Sequence, residues 1–130
     1  MAAPGNLNAA DIPSISSEQE FMAVCDLPKT IIYILVDGSE QERQSRQVFA
    51  EALRQTNMHG VPVYTIDCSN QQLDYFENWL IAQTHHVHLF YTGGYGEILF
   101  VENGEVTDFI NFPAKAGVEA TKAKIGSWLS

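Results

Sequence analysis

Apolar residues run almost without interruption from Ile31 to Val36, and the run stops at Asp37-Gly38-Ser39. A strand that is apolar on both faces belongs at the centre of a sheet covered on both sides. Thr30 to Val36 is therefore expected as the central strand. A helical pattern follows, from about Glu40 to Met58. Val48, Phe49, Ala52, Leu53 and Thr56 recur at spacings of three and four and predict its buried face. Ser39 and Glu42 have capping-box spacing, and Glu40 and Glu42 suit the positive end of a helix dipole. His59-Gly60 ends the helix.

The same reading extends along the chain. Residues 1–11 are small and polar and predict a flexible tail; residues 12–130 are expected to form a single domain. Ile12 to Ile15 suits a short edge strand, because Pro13 cannot donate to a central ladder. Ser16 or Ser17 caps a helix from Glu18 to about Asp26, with Phe21, Met22 and Cys25 on one side. Val61 to Ile66 is a second buried strand. Gln71 to about Gln83 is a helix packing Leu73, Phe76, Trp79 and Leu80. Strands separated by helices imply parallel crossover units. Val87 to Tyr91 suits a strand or an irregular entry into one. Glu97 to Val101 and Val106 to Ile110 form a hairpin about Asn103-Gly104, a pair that accepts left-handed dihedrals. Pro113 precedes a last helix, roughly Lys115 to Leu129, whose apolar face is Val118, Thr121, Ile125, Trp128 and Leu129.

Composition narrows the function classes. The 130 residues suit one sizeable core. Sixteen acidic against seven basic residues give a net charge of -9. That charge disfavours a phosphate surface and suits a basic partner, so no nucleic-acid partner is expected. No run is long and apolar enough for a membrane span, and no secretion signal is visible, so a cytoplasmic protein is expected. Cys25 and Cys68 are far apart in sequence and form neither a CxxC pair nor a metal-ligand spacing.

The element order and several phrases resemble the thioredoxin-like superfamily. Ser17-Glu18-Gln19-Glu20-Phe21 resembles its opening helix, and Val63-Tyr64-Thr65-Ile66-Asp67 its next strand with a terminal aspartate. The stretch from Ile98 to Val106 is similar to its hairpin. The resemblance implies an α/β fold, a mixed β-sheet flanked by helices on both faces. Redox members of the family carry Trp-Cys-x-x-Cys just after the central strand, where a helix N-terminus lowers a thiol pKa. The matching stretch here, Gly38 to Gln44, holds no thiol; Gln41 and Gln44 stand nearest the cysteine positions. The family's cis-proline before the hairpin strand falls at Gly96. The segment near 85–96 is longer than a small thioredoxin needs and is read as an insertion.

No catalytic, cofactor-binding or metal-binding residues are assigned. His85, His86 and His88 are spaced poorly for a structural metal site and are read as surface or helix-end histidines. Gly93-Gly94-Tyr95-Gly96 lacks the GxxxxGK order of a phosphate loop. Asp37, Glu40, Glu42 and Asp67 are read as solvated caps that add a negative rim at the sheet's functional edge. The resulting expectation is a non-catalytic thioredoxin-like protein-interaction domain: an assembly factor, chaperone or regulatory subunit without a cofactor. Its expected contact surface is Gln41, Gln44, Tyr91, Tyr95 and Gly96. The alternatives are an atypical thiol protein using Cys68 and a structural subunit that self-associates.

Overall fold

The computed structural model describes residues 12–36, 39–68, 73–83 and 96–130. The tail at 1–11 and most of the segment expected as an insertion, including the strand expected at Val87 to Tyr91, lie outside the described residues. Five strands and five helices are present among the described residues. In chain order they are β1 (Ser14–Ile15), α1 (Glu18–Cys25), β2 (Lys29–Leu35), α2 (Glu40–Arg54) and β3 (Val63–Asp67). Then come α3 (Asp74–Ala82), β4 (Glu97–Glu102), β5 (Glu105–Asn111), α4 (Pro113–Ala116) and α5 (Val118–Leu129).

The strands form one sheet in the order β1-β3-β2-β4-β5. β2 pairs parallel with β3 and antiparallel with β4, so the sheet is mixed. Thr30 to Ile34 of β2 are all buried, as a strand covered on both faces requires. Its side chains alternate. Ile32 and Ile34 join Phe21 and Val24 of α1 and Phe76 and Leu80 of α3. Ile31 and Tyr33 join Phe49, Ala52 and Leu53 of α2 and Ile125 of α5. Each fully buried isoleucine contributes roughly 2–3 kcal/mol of hydrophobic stabilisation, so β2 ties both layers to one strand.

The caps follow local chemistry. Ser17 accepts from Glu20 N, while Glu20 takes both the backbone N–H and the hydroxyl of Ser16 at 2.7 and 2.6 Å. These bonds hold the Glu20 carboxyl below its ordinary pKa. Asn103 and Gly104 take φ of 52° and 81°, the left-handed pair expected at the hairpin.

Three details differ from expectation. Val24, not Met22, faces the core from α1; Met22 is 60% exposed. α2 ends at Arg54, where Gln55 caps it; Thr56 N turns to Leu53 O at 3.1 Å, and the Thr56 hydroxyl takes Ala52 O at 2.7 Å. The last helix is broken in two at Gly117, whose φ is 90°. That break lets α4 turn beneath the start of α2 before α5 packs on the sheet: Ala114 N donates to Ser45 Oγ at 3.1 Å.

Candidate functional site

The end of β2 that leads into α2 is the edge singled out by the sequence. Ser39 is the N-cap of α2, and its hydroxyl accepts from Glu42 N at 3.2 Å. Gln41 and Gln44 are exposed on the first turns. Glu40 is exposed and pairs with Arg43 at 3.3 Å. Asp67 is exposed at the end of β3, while Asp37 lies outside the described residues.

Glu42 corrects the expectation of a solvated rim. It is wholly buried. Its carboxylate does not close the capping box but turns inward. Tyr33 Oη donates to Glu42 Oε2 at 2.8 Å, and Arg46 donates to both carboxylate oxygens at 3.0 and 2.5 Å. Arg46 itself is 26% exposed. The pair is thus anchored in the core at its acidic end and wet at its basic end. Burial, reinforced by the Glu42 charge, pushes the Tyr33 phenol far above its ordinary pKa.

The sequence held a signal for this. Glu42, Ser45, Phe49, Ala52 and Leu53 share the helical spacing of the buried face, and all five are buried. A carboxylate on an apolar face needs a partner, and Arg46 stands one turn on. Tyr33, inside an apolar strand, likewise carries a hydroxyl that must find an acceptor.

Gly96 completes the corner. It is buried, with φ of 84°. A Cβ there would overlap the Tyr33 hydroxyl and stand 3.0 Å from Ser45 Cβ. Gly96 O accepts from Phe112 N at 3.1 Å, and Phe112 itself is left-handed at φ 56°. Next to Gly96 begins β4 with Glu97, 3% exposed, whose Oε2 has no hydrogen-bond partner among the described residues. Burial first, and the nearby Glu42 charge second, push the Glu97 pKa up to about 8. The sequence reading missed Tyr33, Arg46 and Glu97 as members of this corner. For Glu97 the signal was weak, because a strand-leading glutamate reads as solvent-facing.

The structure thus brings Gln41 and Gln44 to the surface above a buried polar cluster and puts Gly96 inside that cluster. Tyr91 and Tyr95 lie outside the described residues. Among the described residues no group of three His, Cys, Asp or Glu could hold a metal, no peptide bond is cis, and no helix is long and apolar enough to cross a membrane. Among the described residues Cys25 and Cys68 are in no disulfide, and both are partly buried. Burial, with Asp26 alongside, pushes the Cys25 thiol up to about 11, away from thiolate chemistry.

No protein-family model matches the chain, and no curated protein matches it. Solved structures do. A thioredoxin from Malassezia sympodialis (Mala s 13) superposes with a TM-score of 0.66 at 17% identity, over 92% of each chain. A mutant thioredoxin from Halobacterium salinarum NRC-1 gives 0.63 at 15% identity, over 100% of this chain and 96% of that one. A Plasmodium falciparum thioredoxin gives 0.59 at 12% identity, over 89% and 98%. The sheet order, the mixed strand directions and these superpositions agree: the chain has the thioredoxin-like fold, and it has that fold without a Cys-x-x-Cys pair.

Proposed function

We propose that this protein is a thioredoxin-like interaction domain without disulfide chemistry, which binds another protein at the start of α2. The observation that carries this reading is the pair of exposed glutamines, Gln41 and Gln44, at the sequence positions of the missing thiols. Neither side chain can act as a nucleophile for disulfide exchange. The one ionisable group between them that could do acid–base work on a ligand, Glu42, is sealed inward on Tyr33 and Arg46. What remains at the surface is amide hydrogen bonding beside the exposed carboxylates Glu40 and Asp67. Those groups and the net charge of -9 favour a partner with a basic face. Tyr91, Tyr95 and Gly96 belong to the proposed surface on the sequence reading alone.

The test is affinity capture from the native cell extract with mass-spectrometric identification, followed by binding of the identified partner to variants. A Gln41→Lys, Gln44→Lys double variant is expected to lose the partner, and Met22→Lys on α1 to keep it. Loss with Met22→Lys alone would move the contact to the other face of the sheet and overturn the assigned surface. Rapid peroxide oxidation of Cys68 near neutral pH would overturn the non-redox reading in favour of a thiol protein.

A further inference from the structure

The buried carboxyl of Glu97 is the feature least explained by the fold. It is 3% exposed, and its Oε2 lacks a partner among the described residues. The ionisable groups around it are already committed. From β2, the Tyr33 hydroxyl donates to Glu42. From α2, Glu42 is a second buried carboxylate, and Arg46 is spent bidentately on Glu42. β5 offers opposite Glu97 the uncharged Asn111. A charge on Glu97 would thus be a second negative charge in the same buried region with, among the described residues, no cation of its own.

Phe112 joins this corner to α4, its O accepting from Lys115 N at 3.0 Å. Phe112 N donates to Gly96 O, and Ala114 N donates to Ser45 Oγ. Phe112 holds a left-handed dihedral unusual for a bulky residue, which stores backbone strain at this point. Opening the corner would relax Phe112 and let water reach Glu97.

We propose that Glu97 is a proton-operated latch: protonated, it keeps the Gly96–Phe112 corner closed on α2, and on losing its proton to solvent it opens that corner. The only chemical step is dissociation of the carboxyl O–H. With the opened carboxyl titrating as an ordinary glutamate, opening becomes steadily easier as pH rises toward the raised pKa of about 8 and levels off above it. The latch stands on the buried carboxyl alone and holds whether or not this edge binds a protein.

Hydrogen exchange of the full chain, corrected for the intrinsic effect of pH, tests it. If an opened Glu97 titrates as an ordinary glutamate, the opening constant rises about thirtyfold between about pH 6.5 and about pH 9. The Phe112 and Ala114 amides are expected to show that rise while remaining less protected than the core amides of β2. Hairpin amides such as Asn103 should not change. In Glu97→Gln the rise should vanish. Exchange at Phe112 and Ala114 that is independent of pH, or equal in free energy to that of the β2 core, would overturn the latch. So would an undiminished rise in Glu97→Gln. Should that variant not fold, a carbon-13 carboxyl titration of the wild type decides: a glutamate titrating above about pH 7 is required, and its absence overturns the proposal.

Discussion

The two ends of the sheet solve the same problem differently. At the hairpin end, polar groups lie at the boundary with water, and the two tryptophans and Lys29 have partners there. Trp79 Nε1 donates to Gly104 O at 2.9 Å, and Trp128 Nε1 donates to Glu102 Oε2 at 3.0 Å. Lys29 Nζ donates to Trp128 O at 2.7 Å and lies 4.8 Å from the centre of the Trp128 ring. At the α2 end, two carboxyls, a phenol and a serine hydroxyl are buried, and one carboxyl oxygen has no partner among the described residues. Partly exposed pairs contribute little and cost little; buried charges are costly unless fully matched. The hairpin end is therefore built for stability. The α2 end buries two carboxyls beside each other, one of them without a cation among the described residues.

The glycines at the two ends should separate most widely. Gly96 and Gly104 have nearly the same φ, 84° and 81°. Alanine at either site incurs the left-handed penalty of about 1 kcal/mol. At Gly96 the new Cβ also meets the Tyr33 hydroxyl and Ser45 inside a packed corner, whereas at Gly104 its nearest neighbour is Cys25 O at 3.3 Å. Gly96→Ala is expected to cost about 4 kcal/mol and Gly104→Ala about 1 kcal/mol. Denaturant unfolding of both variants measures this. Equal costs would mean that the α2 corner yields as easily as the hairpin.

The basic residues make the next contrast. Arg46→Met leaves the Glu42 carboxylate buried with only Tyr33 as donor and is expected to cost about 3 kcal/mol. Lys29→Met removes a half-exposed ammonium and should cost about 1 kcal/mol or less. Adding Glu42→Gln to Arg46→Met should recover much of the loss, because the orphaned charge goes with it. A double variant no more stable than Arg46→Met would show that the arginine acts through packing instead.

The scaffold was legible in the sequence for a physical reason that also explains what was not. β2, α2, β3 and the hairpin announce themselves through apolar period and turn chemistry, which are local signals. The asparagine–glycine pair at residues 103–104 and the serine caps need only their neighbours to be read. The α2 corner joins residues from β2, α2, β4 and the turn before α4, and no local pattern encodes that meeting. Glu42 was visible both as a cap residue and as a member of the buried helical stripe. The first role predicts solvent, the second a salt bridge, and tertiary packing chose the second. The break at Gly117 was hidden because Lys115 to Leu129 otherwise reads as one helix.

Glu97 turns the comparison into a pH dependence. Its folded-state pKa, about 8, lies above the ordinary glutamate value of 4.5. The folded state therefore binds the proton more tightly than the unfolded chain. The associated stability is fully present below the unfolded value and falls as pH rises, until it is lost above about pH 8. Wild-type stability should drop by on the order of 2–3 kcal/mol between about pH 5 and about pH 9, after allowing for water entering the corner. Glu97→Gln should flatten that profile and be the more stable protein at the alkaline end. Urea unfolding at both pH values gives the answer. A wild-type profile already flat would mean that Glu97 finds a compensating donor and that the two sheet ends are electrostatically alike.

The smallest effect separates charge from mere lack of a partner. Thr121 on α5 is fully buried, and its Oγ1, like Glu97 Oε2, has no hydrogen-bond partner among the described residues. Unlike Glu97, it carries no charge at any pH. Thr121→Val keeps the shape and removes the orphaned hydroxyl, so it is expected to stabilise the fold by about 1 kcal/mol, equally at acidic and alkaline pH. Thermal unfolding at both pH values measures it against Glu97→Gln. A gain from Thr121→Val that grew with pH would tie α5 electrostatically to the corner. A pH-independent gain alongside a pH-dependent one at Glu97 would assign the cost of the α2 end to its second buried carboxylate.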